Sequence, residues 1–452
     1  MRRVVMRVGT MPSADHAQQA VFVSVEEPAT VPGFGRYYPF DGDPALVRQF
    51  EEDPPSCENM RVVGTALLDE LARHEATQAA LRYALDHTPP DESCPVYLDL
   101  EGSEAAAAIP WEALFEPSAG FLALQDRWPI ARRAASTAPE RGVRTFTAPI
   151  RLMAVMSAIG VSAAREWAAL RRALRQSPGG VGVTVSVWVG EEALATQIEA
   201  DLADDGLSGS VQYLTGANDL VRALKEFDPH LLHLFCHGRG GVSPFLLLAT
   251  KREHEVGHGS SVVLEPLQLH SVGRSTWLIS LNACEGASDS AGARSLAYLL
   301  TRAGCPAVVG MREPVSSAVA AVFTYGFYAA LLGQLRDKLV PGQEVDLELA
   351  AALAAPRRDL RDTHQAADPT AAAAVHRDWT LPVLYVRRDP LVIEQLVADP
   401  SHDAQTQKDS TDYLDILLRF RREHPPGTAA DVLAMIDAEI DRALEALRSP
   451  SR

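Results

Sequence analysis

Cysteine is scarce. The 452-residue chain has five (Cys57, Cys94, Cys236, Cys284 and Cys305), an odd, scattered set with no paired spacing. Such a set argues against a disulfide framework and fits a reducing, cytoplasmic compartment. Positive charge is in deficit, 42 Lys and Arg against 59 Asp and Glu, for a net charge of −17. That balance argues against a general binder of nucleic acid or of an anionic membrane. No apolar run approaches the ~20 residues of a membrane span, so none is expected. The basic start, MRRVVMRVGTMPS, lacks an apolar core and a cleavage site, so no signal peptide is read. Internal repeats are not visible. Lysine is rare beside arginine and alanine is abundant, which we attribute to genome composition.

What is present is ordinary for a globular protein: 47% hydrophobic and 22% charged residues, and length enough for two or three cores. Residues 1 to about 60 read as two strands and a long loop around Val31–Phe40. Val62–Leu85 has helical spacing, and Val96–Leu100 is a strand. Ile109-Pro110-Trp111-Glu112 opens a short helix, and FLALQDRWPIARRA reads as a hairpin. From Ile150 the rhythm becomes strand, helix, strand, helix. IRLMAVMSA and VGVTVSVWV are strands; Ala163–Arg175 and Glu192–Asp205 are amphipathic helices, the second followed by Gly206. Asn218 is a candidate cap for the next helix. CPAVVGM is a further strand, Val319–Leu332 a long apolar helix, Leu347–Val375 helical in part, and TLPVLYV the last strand. After about residue 398 two amphipathic helices follow, with Thr428-x-x-Asp431 resembling a capping box. Alternating β and α predicts an α/β sandwich with a mainly parallel sheet.

The chain is organised around Pro229–Ala287. Leu231–Cys236 and Trp277–Ala283 read as buried parallel strands, the first ending at His237-Gly238 and the second at Cys284-Glu285-Gly286. A histidine and a cysteine therefore sit at the carboxyl ends of two interior strands, where open parallel sheets carry their chemistry. A thiol of pKa near 8.5 is only a few per cent thiolate at neutral pH, so a nucleophilic Cys284 needs a base, which His237 can be. The backbone N–H groups of Gly238 and Cys284 are the natural oxyanion donors. Gly238 also lets the backbone approach a carbonyl without a Cβ in the way. On pattern alone the plainer alternative stands too: a cysteine ending a buried strand as a small core residue, and a histidine as a satisfied polar one. His233, Cys236 and His237 do not read as a metal site, because strand alternation sends Cys236 and His237 to opposite faces. His254 and His258 fall in a polar loop and read as solvated. That segment, Lys251–Ser261, has no hydrophobic periodicity and is predicted to be a mobile loop beside the cleft.

HLLHLFCHG and LISLNACEGA closely resemble the His and Cys motifs of CHAT domains, a caspase-like peptidase family related to separases. VYLDLE, IPWEALFEP, FLAL, WPIAR, SLAYLLTRAGCPAVVGMREPV, FTYGFYAALLGQ and DWTLPVLYV follow in the family's order, so the resemblance covers roughly residues 60 to 390. The 47 positions between the pair (284 − 237) are close to the roughly 50-residue spacing of caspases. The resemblance implies a catalytic dyad of His237 and Cys284, an oxyanion site at Gly238 and Cys284, and a cysteine endopeptidase working through an acyl-enzyme without metal or cofactor. Many relatives carry acidic residues just after the Pro-Val that corresponds to Pro314-Val315; here Ser316 and Ser317 stand there. Glu313 or Glu285 is then the candidate acid for a basic P1 residue. Trp111 and Glu112 match the family's Pro-Trp-Glu and read as packing.

The expected architecture is a caspase-like three-layer sandwich at 146–395, an amino-terminal α/β companion lobe at 1–145, and a helical carboxyl-terminal tail at 396–452. The expected partners are a protein substrate and an activating protein, with no nucleic acid. The expected setting is a bacterial defence or cell-death pathway. The rival expectation is a catalytically inactive scaffold that keeps the fold for protein binding.

Overall fold

The computed structural model describes residues 2–12, 19–40, 57–100, 104–136, 138, 142–176, 181–239, 244–257, 259, 261–265, 268–269, 275–283, 291–367, 377–397 and 440. The amino-terminal part supplies β1 (Val4–Pro12), β2 (Gln19–Glu27), β3 (Tyr38–Phe40), α1 (Cys57–Ala72), α2 (Glu75–His87), β4 (Val96–Leu100) and α3 (Glu104–Ala108). It continues with β5 (Phe115–Glu116), β6 (Gly120–Phe121), β7 (Ile130–Ala134) and β8 (Arg144–Phe146). Then come β9 (Ile150–Met156), α4 (Ala164–Arg175), β10 (Val183–Val189), α5 (Glu192–Asp205), β11 (Gly209–Tyr213), α6 (Ala217–Phe227) and β12 (Leu231–Arg239). These are followed by β13 (Phe245–Leu248), α7 (Lys251–Val256), β14 (Val262–Leu264), β15 (Leu278–Ala283), α8 (Ala291–Ala303) and β16 (Ala307–Met311). The last are α9 (Ser317–Lys338), β17 (Glu344–Asp346), α10 (Ala354–Ala367), β18 (Pro382–Arg387) and β19 (Val392–Gln395).

Among the described residues one large mixed sheet runs β11-β10-β9-β12-β15-β16-β18-β7-β4-β1-β2-β3. Strands β11 to β16 in that order are mutually parallel, as are β18, β7, β4 and β1; the two blocks meet antiparallel at β16–β18. The α/β class and mainly parallel sheet are as expected. The strands from 1–134 join the same sheet as those beyond residue 146. Residues 1–394 form one compact unit, and 395–452 are a second. The tail helices and their proposed cap fall outside the described residues.

The interior strands are buried and predominantly apolar, as parallel strands flanked by helices are, with His233 of β12 and Ser280 and Asn282 of β15 as buried polar exceptions. α4 packs on α9, and α9 on α10. Ser316 caps α9 by accepting from Val319 N–H at 3.3 Å. By length and composition α9 is apolar enough to cross a membrane, which the count of apolar runs overlooked; here half of its apolar stretch is buried in the fold.

Several local expectations are corrected. Within FLAL, Phe121 ends the short β6, Leu122–Leu124 is a 3₁₀ turn rather than a strand, and the expected hairpin's second strand is Ile130–Ala134. Asn218 lies inside α6 and Gly216 stands at its cap position, without a side-chain bond. β19 follows the strand expected to be last. β12 continues past Cys236 to Arg239 because β13 offers it a new antiparallel neighbour. Lys251–Val256 is a helix, not a loop. Thr250 accepts from Glu253 N–H at 3.2 Å, and Lys251 donates its N–H to the Leu214 carbonyl at 2.8 Å.

Candidate active site

β9, β12, β15 and β16 end side by side. β12 pairs with β15 through Cys236 and Ala283, the last two residues of the shared register. In the sequence His237 follows Cys236 and Cys284 follows Ala283. Cys284 and Glu285 lie outside the described residues; His237, Gly238 and Glu313 lie within them.

His237 is half-buried at the point where β12 leaves β15 for β13. Its Nε2 is 2.8 Å from the carbonyl oxygen of Ile159. A carbonyl only accepts, so Nε2 carries the proton and Nδ1 is left with its lone pair. Nδ1 is buried and has no hydrogen-bond partner among the described residues. An imidazole anchored through Nε2 presents Nδ1 as the nitrogen that can exchange a proton. Gly238 is buried inside the β12–β13 pair, opposite Leu246, so the strand does not end there as expected.

The turn that offers the Ile159 carbonyl is clamped. Ser157 N–H donates to the Phe235 carbonyl at 2.9 Å, and Ala249 N–H returns to the Ser157 carbonyl at 3.2 Å. Gly160 closes the turn at φ +77°, a left-handed conformation that glycine adopts freely. Ser157 Oγ donates to the Ala249 carbonyl at 2.6 Å and lies 3.0 Å from His254 Nε2. His254 is therefore not a solvated loop residue: it reaches from α7 to the segment that orients His237. A Cβ at Gly190 would sit 2.6 Å from Ser157 Oγ and against the His254 ring, so the contact requires glycine there.

Below the strand ends lies a buried polar cluster that sequence reasoning missed. Glu166 of α4 is 1% exposed. Its Oε1 accepts from Asn282 Nδ2 at 2.7 Å and from Thr324 Oγ1 at 2.5 Å, and it lies 3.0 Å from His233 Nε2. Asn282 is two residues before Cys284 and His233 four before His237. One carboxylate thus ties both strands to α4 and α9. A buried carboxylate is tolerable only with such partners. Tyr328 stands edge-on to His233, ring centroids 5.5 Å apart. Burial, and secondarily Glu166, push the Tyr328 hydroxyl above its usual range, so it stays neutral. The signal that was available is an Asn-x-Cys on an otherwise apolar strand.

Cys236 is fully buried, and burial pushes its thiol up to about 12, which makes it inert. Among the described residues no three His, Cys, Asp or Glu side chains gather as a metal site. Glu313, two residues beyond the β16–β18 ladder, accepts from Arg377 Nη2 at 2.5 Å. Glu112 is fully buried and takes both Nε and Nη2 of Arg132, at 3.0 and 2.7 Å. That fits the packing role read for the Trp111-Glu112 pair, with Trp111 also fully buried.

A family model described as the CHAT domain matches residues 65–408. No curated protein matches the chain. Among solved structures the chain is similar to the Saccharomyces cerevisiae separase–securin complex, at 13% identity and a TM-score of 0.32. The match covers 86% of this chain and 22% of that one, so the chain spans about a fifth of its neighbour's length.

Proposed function

The chain belongs to the CHAT domain family, and from that premise we propose that it is a cysteine endopeptidase with Cys284 as nucleophile and His237 as base. The observation that carries this is the placement of His237: Nε2–H held on the Ile159 carbonyl, and Nδ1 buried without a partner among the described residues, at the residue where β12 passes beyond its shared register with the cysteine strand.

The chemistry follows from those two groups. His237 Nδ1 takes the Cys284 thiol proton, and the thiolate adds to the scissile carbonyl. The oxyanion is met by backbone N–H groups, for which Gly238 and Cys284 are the candidates. His237 then gives the proton to the amide nitrogen, the C–N bond breaks, and the amine leaves a thioester on Cys284. Water, deprotonated by His237, adds to the thioester and releases the acid and the thiol. The hydrogen bond to Ile159 holds the ring in place through both proton transfers. No cofactor enters these steps. The proposed setting is a regulated effector with a protein substrate and an activating partner.

A peptide library incubated with the full chain tests this. Cys284→Ala and His237→Ala should each abolish cleavage, and the double variant should be no worse than either single one, because the two act as a unit. Cleavage that survives Cys284→Ala would sink the proposal.

A further inference from the structure

The carboxyl end of β16 carries an acid that is already occupied. β15 and β16 run parallel with Leu281 opposite Gly310. In the sequence Cys284 directly follows β15 at Ala283, and Glu313 lies two residues past the end of β16 at Met311. Just past the end of β16 the direction is kept by Arg312, whose N–H reaches the Leu381 carbonyl at 2.9 Å. Neighbouring strands are about 4.8 Å apart, so Glu313 belongs one strand from the cysteine strand and His237 one strand away on the other side. A side chain entering beside the scissile carbonyl spans about that distance.

A carboxylate there would ordinarily select a guanidinium or ammonium group. This one accepts from Arg377 at 2.5 Å, with only 20% and 16% of the two side chains exposed. Shielded from water, the pair interacts more strongly than a surface ion pair. Arg377 is held by its surroundings. It opens the 3₁₀ turn Arg377–Thr380, its carbonyl accepts from Thr380 Oγ1 at 2.7 Å, and Trp379 is fully buried.

We propose that Arg377 is a specificity-determining residue that fills the Glu313 subsite from within, so that the enzyme takes an uncharged P1 residue and disfavours Arg or Lys. This rests on the peptidase assignment above. A basic substrate side chain meets a neutralised carboxylate and a second cation, and must displace Arg377 to bind. Uncharged side chains face no such competition. The subsite is then a cation site that becomes available only when the turn carrying Arg377 moves.

The test has two arms, both on the full chain. The first is calorimetric titration with agmatine, a free arginine side chain. Arg377→Ala should bind agmatine at least tenfold more tightly than wild type, and Arg377→Ala/Glu313→Gln should lose that gain. Arg377→Gln, which keeps length without charge, repeats the measurement should the alanine variant fail to fold. Equal binding by wild type and Arg377 variants, or binding that survives Glu313→Gln, overturns the proposal. The second arm compares kcat/KM for peptides ending in Arg and in Leu. The Arg/Leu ratio should rise at least tenfold in the Arg377 variants. Cys284-dependent cleavage with an unchanged ratio removes the subsite and leaves the peptidase standing. Agmatine binding without any cleavage does the reverse.

Discussion

Replacing Glu166 by alanine should be among the most damaging single changes in this protein, and its cost can be worked from three contacts. The carboxylate accepts from Asn282 at 2.7 Å and Thr324 at 2.5 Å, and lies 3.0 Å from His233. All three partners are at most 1% exposed, so water cannot replace the lost acceptor without entering the core. An orphaned buried donor costs about 1–3 kcal/mol, and breaking a buried charge-stabilised cluster typically costs about 3–5 kcal/mol in all. Against a total stability of roughly 5–15 kcal/mol, that is a large share. Urea unfolding at pH 7 should show the midpoint falling by that amount with an unchanged slope, as expected when the surface exposed on unfolding stays the same. Glu166→Gln keeps one acceptor oxygen and should cost less. Because Asn282 is tied down two residues before Cys284, hydrogen exchange along β15 should also accelerate in Glu166→Ala. A loss under about 1 kcal/mol, with β15 exchange unchanged, would refute the role given to Glu166.

Two further outcomes follow from geometry. His230 is 1% exposed, accepts from Arg151 N–H at 3.0 Å and stacks on Trp277 at 4.5 Å. Burial, then the Arg151 charge, lower its pKa to about 3. The unfolded chain therefore binds a proton that the folded one refuses, and stability falls as pH drops from about 6.5 toward 3, by about 2 kcal/mol at pH 5. His230→Asn, which keeps an acceptor for Arg151, should flatten that part of the urea midpoint-against-pH curve; an unchanged slope there would contradict the assignment. Gly190→Ala should cost about 1–3 kcal/mol by overpacking Ser157 and His254, and should slow peptide cleavage by shifting the turn that holds Ile159; wild-type stability and rate would show that the turn yields freely.

The strands that frame the site were legible because buried parallel strands are short apolar runs. His237 was legible because it follows one of them directly. Other parts left weaker marks. The Ile159 carbonyl that sets the His237 tautomer is a backbone atom, which no residue type announces. Glu166 meets Asn282 and Thr324 across 116 and 158 positions, so no local spacing reveals the cluster. Arg377 reaches Glu313 across 64 positions. α7 did carry a signal: Thr250-x-x-Glu253 is a capping-box pattern, and Thr250 does accept from Glu253 N–H. Six residues are too few for a periodicity to show, so the segment read as loop. Glu253 turns its carboxylate to Ser261, at 3.0 and 2.8 Å, which fastens the end of α7 to the start of β14. The extension of β12 likewise depends on β13, a partner to which the sequence reading assigned no strand.

The central claim is that Cys284 is a nucleophile because His237 makes it one. The most direct measurement is intact-protein and peptide mass spectrometry after reaction with a peptidyl acyloxymethyl ketone, comparing wild type with His237→Ala at pH 7. A single adduct should form, on Cys284, while Cys94, Cys236 and Cys305 stay unmodified in the buried positions they occupy. Loss of the base should slow that adduct by about 10²-fold or more, the scale of general-base assistance. An adduct that forms on another cysteine, or on Cys284 at the same rate in His237→Ala, would contradict the account.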